Sequence, residues 1–516
     1  MTPNWDVTAT WTYHDATKHS WESVRTNPHG LDWENYPLAF KIYSTLEPLP
    51  LPHEWPPVSL ETFSAIAGTS ADQNDERIPD LLTLAKLLFL SAGITKRRTY
   101  SGGEMYFRAA ACTGALYHID LYLVCGELSD LPAGVYHFGP HDFALRCLRL
   151  GDYRPVLIQA SSEEPAVARA PALLVCTSTY WRNAWKYQAR TYRHCFWDAG
   201  TVLANMLAAG AALKLPMRIV AGFADGVVNQ LLDLDTDREG ALALVPVGSS
   251  ARSAPDTAPA IEPLHLPTVP LSQTEVDYPA IRAMHTASTV TADEVLSWRG
   301  TFSARPVSPP TGQLFPLVPL GVHELPEGGL EHVIRHRGSS RAFALETITF
   351  AQLSTILLQA TGGVSADFLE PVGTTLTSLY LIVNAVDELP AGTYVFRRER
   401  KALELLQEGH LRREAGYLGL GQELPADASV NIYCLVELPP ILERFGNRGY
   451  RAAQLEAAII GGKVYLAAYS LRLAATGLTF FDDEVTQFFS PHAAGRSVMF
   501  LTALGRPDRV ALGLAP

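Results

Sequence analysis

Two kinds of apolar pattern run along the chain, and each occurs twice. Residues 121–124 and 379–383 are short β-rich apolar runs, and each precedes a Leu-Pro-Ala-Gly turn that returns into a second such run. This arrangement predicts a β-hairpin in both places. Residues 199–215 and 457–473 have apolar side chains at helical spacing, and Pro216 follows the first stretch. We expect two helices that are apolar on most faces and therefore central and buried.

The duplication extends well beyond these elements. The motif Leu-Pro-Ala-Gly-x-Tyr-x-Phe begins at residues 131 and 389, an offset of 258, which is half of the 516 residues. The same offset relates further residues: Arg190 to Arg448, Asp198 to Glu456, Phe223 to Phe481 and Asp225 to Asp483. A period of this length indicates a duplicated domain. We therefore predict two tandem α+β domains, 1–250 and 311–516, with a linker containing short helices over 251–310.

Composition narrows the function classes. Hydrophobic residues make up 47% and charged residues 18%, which permits a packed core and excludes wholesale disorder. The formal net charge of −12 argues against a nucleic acid or an anionic membrane as partner. The six cysteines form no CxxC pair and no metal-type pairing with histidine, so we expect no metal site. The polar N-terminus and the lack of a spanning apolar run predict a cytoplasmic protein.

Four stretches carry a family resemblance, namely residues 13–20, 108–122, 186–205 and 219–223. Their order and spacing resemble the nitroreductase-like flavoproteins, specifically the SagB/ThcOx-type branch of azoline oxidases. The resemblance implies an α+β fold, with mostly antiparallel sheets flanked by helices, that dimerises and holds FMN between two copies. Here the duplication would place both copies in one chain as an intramolecular pseudo-dimer, with further homo-oligomerisation left open.

The resemblance places the FMN phosphate in the second copy. Residues 335–343 resemble the family's Arg-x-Ser-x-Arg motif, in which guanidinium forks and a hydroxyl suit a dianion. The candidates here are Arg337, Gly338, Ser339 and Arg341, with Arg506 as an additional cation. The alternative is a solvated basic loop before a helix. The matching segment of the first copy, 64–79, has one Arg and three acids, so it has lost this function.

The flavin ring is assigned to the first copy. Cys112, Thr113 and Gly114 resemble the family's Pro-Ser-Ala-Gly loop, whereas residues 371–373 of the second copy are more degraded. Because the better ring loop and the better phosphate motif lie in different copies, they would complete one site, and we expect one FMN per chain. The alternative for Cys112 is a small buried thiol.

Three further residues follow from the same resemblance. Thr479 and Phe480 would lie nearest to flavin N5, because the phosphate-binding copy provides that loop. Asn205 would be a polar residue near the flavin on the buried helix, and its alternative is a satisfied core asparagine.

Lys186 and Tyr187 resemble the Lys-Tyr pair with which azoline oxidases move a proton. A partly desolvated lysine can act as a base and a neighbouring tyrosine can relay the proton. The second-copy counterparts Arg444 and Phe445 can do neither. The alternative is a surface lysine beside a packing tyrosine.

These assignments predict an FMN-dependent oxidoreductase that acts on an azoline-containing peptide or another small heterocycle. Two other functions stay open: an NAD(P)H-dependent nitro or quinone reductase, and a flavin-binding or scaffold protein whose catalysis has decayed.

Overall fold

A computed structural model describes residues 3–26, 28–58, 60–67, 76–100, 103–302, 308–326, 328–371 and 373–508. The α-helices are α1 (Thr8–Ala16), α2 (Trp21–Thr26), α3 (Thr62–Ala67), α4 (Leu81–Ala92), α5 (Arg154–Ala160), α6 (Pro165–Ala168), α7 (Tyr180–Tyr187), α8 (Thr191–Ala212), α9 (Asp225–Leu231), α10 (Pro279–Ala287), α11 (Ala292–Trp298), α12 (Leu330–His336), α13 (Phe350–Ala360), α14 (Arg412–Leu418), α15 (Glu423–Asp427), α16 (Leu438–Phe445), α17 (Arg448–Ser470) and α18 (Asp482–Phe488). The β-strands are β1 (Pro48–Pro50), β2 (Ile94–Tyr100), β3 (Gly103–Arg108), β4 (Ile119–Cys125), β5 (Gly134–Gly139), β6 (Ala144–Leu150), β7 (Ala172–Thr179), β8 (Glu239–Val247), β9 (Leu314–Pro316), β10 (Phe343–Ala344), β11 (Thr377–Val383), β12 (Gly392–Arg397), β13 (Ala402–Glu408), β14 (Val430–Val436), β15 (Ala474–Leu478) and β16 (Ser497–Pro507).

Each half of the chain builds its own antiparallel sheet. The first has the order β1-β6-β5-β4-β7-β8, and the second has the order β10-β16-β14-β11-β12-β13-β9, with β15 also paired to β16. The predicted hairpins are β4–β5 and β11–β12, in which Leu123 faces Tyr136 and Leu381 faces Tyr394. The offset found in the sequence relates these two pairs, so the predicted α+β duplication is confirmed at the level of the sheets.

The two central helices, α8 and α17, pack against each other at the seam between the halves. Gly200 lies against Ala458, where an added Cβ would come within 2.5 Å of the alanine Cβ, and Gly462 lies against Ala204 in the same way. The offset of 258 relates Gly200 to Ala458 and Ala204 to Gly462, so each contact joins a residue to its own counterpart in the other copy. Both helices begin earlier than the apolar spacing predicts, because their polar first turns are buried against the opposite half.

A buried carboxylate of the second half clamps the first turn of α8. Asp482, the first residue of α18, accepts hydrogen bonds from Arg190 at 2.9 Å and Arg193 at 2.5 Å. Burial alone would raise the pKa of Asp482, but the two guanidinium groups outweigh burial and hold the pKa well below its usual range. This ion cluster therefore joins the halves through fully desolvated charges.

The first half provides the corresponding ion cluster of the repeat. Asp225, the first residue of α9, accepts from Arg448 at 2.6 Å and Arg451 at 2.8 Å. The structural counterpart of Asp225 is therefore Asp482, and the predicted pairing with Asp483, which is exposed, is wrong. The loop before α18 is one residue shorter than the loop before α9, so the register between the copies shifts by one position here.

The repeat also extends into the segment that the sequence assigned to a linker. Thr17 follows α1 and accepts from Arg193, and Ser288 follows α10 and accepts from Arg451. Thr17 and Ser288 are thus matched positions, and the helices α10 and α11 repeat α1 and α2. They belong to the second half of the fold. The segment 251–310 contains the short helices that the sequence predicts, and its bounds as a linker stay a prediction.

No helix among the described residues is long and apolar enough to cross a lipid bilayer.

Candidate active site

The predicted ring loop and the predicted proton-transfer pair meet in the first half. Gly114 has φ +62°, and a Cβ at this position would lie 3.1 Å from the Tyr187 hydroxyl. The hydroxyl therefore lies directly over the glycine. Tyr187 ends α7 and is half-buried, and burial followed by the nearby Asp198 carboxylate raises its pKa. The phenol stays protonated and can donate a hydrogen bond.

Asp198, on α8, holds the ring loop from behind. Its carboxylate accepts hydrogen bonds from the Thr113 amide at 2.9 Å, the Thr113 hydroxyl at 2.7 Å and the Cys112 thiol at 2.9 Å. His118 Nε2 lies 2.8 Å from the same carboxylate. Burial, and then the Asp198 charge, raise the pKa of the Cys112 thiol, so Cys112 is neutral.

The side chain of Cys112 is therefore already used within the loop, since it also accepts from the Tyr117 amide at 3.0 Å. Cys112, His118 and Asp198 bring three possible metal-ligand atoms within 4.8 Å of one another. Because the carboxylate is saturated by loop donors, we interpret this cluster as a support for the ring loop. Contact between Cys112 or Thr113 and a cofactor remains a prediction.

Two residues that the sequence analysis missed lie behind Tyr187. Asn183 donates to the Thr113 hydroxyl at 2.8 Å, and its amide oxygen lies 2.9 Å from His194 Nδ1. The His194 ring is 4.4 Å from the Tyr187 ring. Burial, and then Arg190, lower the pKa of His194, and its buried Nε2 has no hydrogen-bond partner among the described residues. No motif marks either residue, because only the fold brings them to the loop.

The predicted N5 loop is the shortened one before α18. The Phe480 ring is buried 5.8 Å from Trp197, under the Arg190 guanidinium at 5.4 Å. Phe223 lies under Arg448 in the other half in the same way. The Phe480 side chain is thus a core residue, and only its backbone remains a candidate contact.

Thr479 keeps a feature of a binding residue. Its hydroxyl oxygen is buried and has no hydrogen-bond partner among the described residues. A ligand oxygen or nitrogen beside this loop would remove that cost.

The phosphate turn follows α12 and reaches across the seam. Arg337 donates to the carbonyl oxygens of Ala109 at 2.9 Å and Arg108 at 2.8 Å, so its guanidinium mainly ties the halves together. Gly338 comes next in the turn, and the hydroxyl of Ser339 after it lies 3.1 Å from the Tyr465 hydroxyl. Arg341 is exposed and makes no hydrogen bond or ion pair with any described residue. It is the cation of the turn that is available to an anion.

Arg341 also acts on the first half. Lys186 is exposed, with Nζ 5.4 Å from the centre of the Tyr187 ring. Partial desolvation, and then the charge of Arg341, lower the pKa of Lys186. The same arginine opposes the rise in the pKa of Tyr187. The phosphate turn of the second half and the Lys-Tyr pair of the first half are therefore close neighbours.

Two residues that were predicted to contact the cofactor make structural contacts with the protein backbone instead. Asn205 donates to the carbonyl oxygens of Leu90 at 3.2 Å and Ala109 at 2.9 Å, as a satisfied core asparagine does. Arg506 donates to the Thr347 carbonyl oxygen at 2.8 Å. A direct role of either residue toward a cofactor stays a prediction.

Residues 68–75 and Val372 lie outside the described residues. The structure therefore leaves untested both the loss of the first-copy phosphate loop and the degradation of 371–373.

Comparison with known proteins points to the same resemblance as the sequence motifs. The nitroreductase family model matches residues 104–249. A protein named as a nitroreductase, MJ1384 of Methanocaldococcus jannaschii, is 25% identical over 168 residues, which cover 33% of this chain and 80% of that protein. Trifolitoxin-processing protein TfxB of Rhizobium leguminosarum bv. trifolii is 26% identical over 196 residues, which cover 36% of this chain and only 52% of TfxB.

The likeness extends to the whole chain in three dimensions. A crystal structure of a protein named as a nitroreductase from Anabaena variabilis superposes with a TM-score of 0.76 at 25% identity, covering 97% of this chain and 99% of that one. The match to TfxB agrees with the SagB/ThcOx-type branch that the sequence motifs resemble. The chain is therefore an oxidoreductase similar to the nitroreductase family, with two nitroreductase-like halves in one polypeptide.

Proposed function

We propose that the protein is an FMN-dependent oxidoreductase with a composite site at the seam of its halves. The turn that carries Arg341 would hold the phosphate, and the loop at Gly114 would face the ring. The observation that carries this proposal is the contact of the phosphate turn with the first half, where Arg337 donates to the carbonyl oxygens of Arg108 and Ala109, shortly before the ring loop. The charge of Arg341 in the same turn lowers the pKa of Lys186 and opposes the rise in the pKa of Tyr187.

The residues at this seam fit FMN in three respects. Arg341 is a cation without a partner among the described residues, which suits a phosphate dianion. Gly114 carries no side chain, so a ring could approach the backbone of the ring loop closely beside the Tyr187 hydroxyl. The buried polar atoms His194 Nε2 and Thr479 Oγ1 have no partners among the described residues, and a polar ring edge could supply them. When bound, FMN supplies the acceptor for a hydride.

The substrate class that we propose is an azoline-containing peptide or small heterocycle. Conversion of an azoline to an azole removes two carbon-bound hydrogens, one as a hydride and one as a proton. Lys186 would take the proton, because its lowered pKa increases the neutral fraction of the amine near neutral pH. Tyr187, which stays protonated, would orient the ring and relay the proton to solvent. The match to a trifolitoxin-processing protein supports a peptide substrate.

A reductase activity toward nitro compounds or quinones is the second candidate, and the relatives named as nitroreductases favour it. Anaerobic mixing separates the two functions. Bleaching of the protein-bound flavin by NAD(P)H supports the reductase. Bleaching by an azoline peptide, but not by NAD(P)H, supports the oxidase. If neither reagent bleaches a bound flavin, the result supports a flavin-binding or scaffold protein whose catalysis has decayed.

The composite site is tested by comparing FMN with riboflavin, which lacks the phosphate. Arg341→Gln should weaken FMN binding at least tenfold and leave riboflavin binding unchanged, because only the phosphate contact is lost. Arg413→Gln, which removes an exposed arginine from α14, is the matched control. Equal affinity of FMN for the variant and the unmodified protein would refute the assignment, as would an equal loss for both flavins.

A further inference from the structure

The repeat defines a second position where a flavin ring would lie. Arg444 and Phe445, at the end of α16, correspond to Lys186 and Tyr187 at the end of α7. The loop at Gly222 corresponds to the loop at Thr479. This second position follows from the proposed function, since it is the pseudosymmetric image of the composite site. The chain itself fills it with residues 297–302, at the end of α11, which we name the plug.

Trp298 is the aromatic centre of the plug. Its side chain is fully buried, and a Cβ on Gly222 would come within 2.8 Å of the indole ring. The indole nitrogen donates to the Phe445 carbonyl oxygen at 3.0 Å, and the two rings lie 5.2 Å apart. A planar aromatic group thus already covers the glycine of this loop, where a flavin would otherwise be expected.

Arg444 binds the main chain of the plug. Its guanidinium donates to the carbonyl oxygens of Thr301 at 3.1 Å, Ser297 at 3.3 Å and Arg299 at 2.9 Å. In the composite site the corresponding side chain, Lys186, is exposed and makes no such contact with the described residues. The residue that would be a base in one half therefore anchors a loop in the other.

Phe302 covers the remaining edge of the second ring position. Its ring stacks on Phe445 at 6.0 Å with an angle of 27° between the planes, and its amide donates to the Glu370 carbonyl oxygen at 3.3 Å. Glu370 is the counterpart of Cys112 under the offset between the copies. The plug thus also reaches the image of the ring loop.

A buried carboxylate saturates the backbone donors of the same site. Asp367 accepts hydrogen bonds from the Ala221 amide at 2.9 Å and the Gly222 amide at 2.8 Å. The counterpart of Asp367 in the first half is Ala109, whose side chain can accept no hydrogen bond. The N5-type loop of the second position is therefore satisfied internally, whereas the Thr479 hydroxyl has no partner among the described residues.

The plug arises from the duplicated N-terminal helices. Counted from the matched positions Thr17 and Ser288, Trp298 corresponds to Asn27, which lies outside the described residues. The two sequences differ here by an indole at residue 298 and a short amide at residue 27.

We infer that residues 297–302 act as an internal ligand of a second flavin-ring site, with the Trp298 indole in the place of an aromatic heterocycle. The chain consequently has one working site.

The first experiment restores the residues of the working half. The double variant Trp298→Asn, Asp367→Ala copies Asn27 and Ala109 into the second position. Its lumiflavin stoichiometry, measured by equilibrium dialysis, should rise from one to two per chain. Lumiflavin is the probe because it needs no phosphate site. Phe489→Ala, which opens a buried aromatic cavity elsewhere in the second half, should stay at one. A folded double variant that still binds one lumiflavin would overturn the inference.

The second experiment decides the matter if that variant does not fold. The protein is labelled with 5-fluorotryptophan, and the ¹⁹F resonance of Trp298 is assigned with Trp298→Phe. Saturation with FMN should leave this resonance in place at one flavin per chain. A shift of the resonance, or two FMN per chain, would overturn the inference while leaving the proposed function intact. A failure of FMN binding altogether would refute the proposed function itself.

Discussion

The two buried carboxylates at the seam give a matched pair of substitutions. Asp482 lies among Arg190 and Arg193, and Asp225 lies among Arg448 and Arg451. All of these side chains are buried, so Asp→Asn leaves two guanidinium groups without a counter-charge. Removal of one partner from a buried ion pair costs about 3–5 kcal/mol. Since Asn still accepts a hydrogen bond, we expect a loss of about 3 kcal/mol in the free energy of unfolding for either variant.

The two variants should differ in flavin binding. Arg190 lies over Phe480 and Trp197 beside the composite site, so Asp482→Asn should disturb that site and weaken FMN binding at least tenfold. Arg448 lies over Phe223 and the plug, so Asp225→Asn should leave FMN affinity within about twofold. Urea denaturation followed by circular dichroism measures the first quantity, and flavin fluorescence titration measures the second.

The pH dependence follows from the same groups. Burial opposes ionisation of both aspartates, but their arginine neighbours prevail and lower the folded-state pKa of each. The stabilisation is therefore complete above the unfolded-state pKa of about 4 and is lost as the pH falls through the lower folded values. The stability difference between the unmodified protein and each variant should shrink below about pH 4. Equal flavin affinities for the two variants, or a stability loss below about 1 kcal/mol, would refute the reasoning.

Three further outcomes are expected. Lys186→Met should lower turnover at least 100-fold with unchanged FMN affinity, as measured by steady-state kinetics, whereas the exposed control Lys96→Met should not. With FMN saturating, Arg341→Gln should move the ascending limb of the pH–rate profile to higher pH, because the neighbouring cation lowers the pKa of the base. Gly114→Ala should cost about 1–2 kcal/mol of stability through its positive φ and should also lower kcat, because the new Cβ displaces the Tyr187 hydroxyl; unchanged values of both would contradict the placement of that hydroxyl.

Local patterns were sufficient for much of the fold. The hairpins follow from β-rich runs around a repeated turn, and the cores of α8 and α17 follow from apolar spacing, because both signals are carried by neighbouring residues. The same patterns missed the polar first turns of these helices. Arg190 and Arg193 are charged in the sequence but buried in the fold, because Asp482, which lies in the other half of the chain, neutralises them.

Candidate residues of the site were found where a motif exists, as at Gly114, Lys186 and Arg341. Their division between direct and supporting roles needed the structure. Arg337 and Arg341 belong to one motif, yet Arg337 binds carbonyl oxygens across the seam and Arg341 has no partner among the described residues. Asn183 and His194 reach the ring loop only through the packing of α7 on α8, and no spacing in the sequence marks them.

The sequence by itself determined that the chain is a duplicated α+β protein and that its two copies had diverged in their reactive residues, because repeats and residue types are properties of the chain order. Only the tertiary structure decided which buried charges pair across the seam. A loop shortened by one residue moved the acid of the seam from Asp483 to Asp482. The segment predicted as a linker contains two helices that repeat α1 and α2, and Trp298 at the end of the second is buried against Phe445. Such choices depend on long-range charge pairing and on the volume left between packed elements, and neither quantity is encoded in a local stretch of sequence.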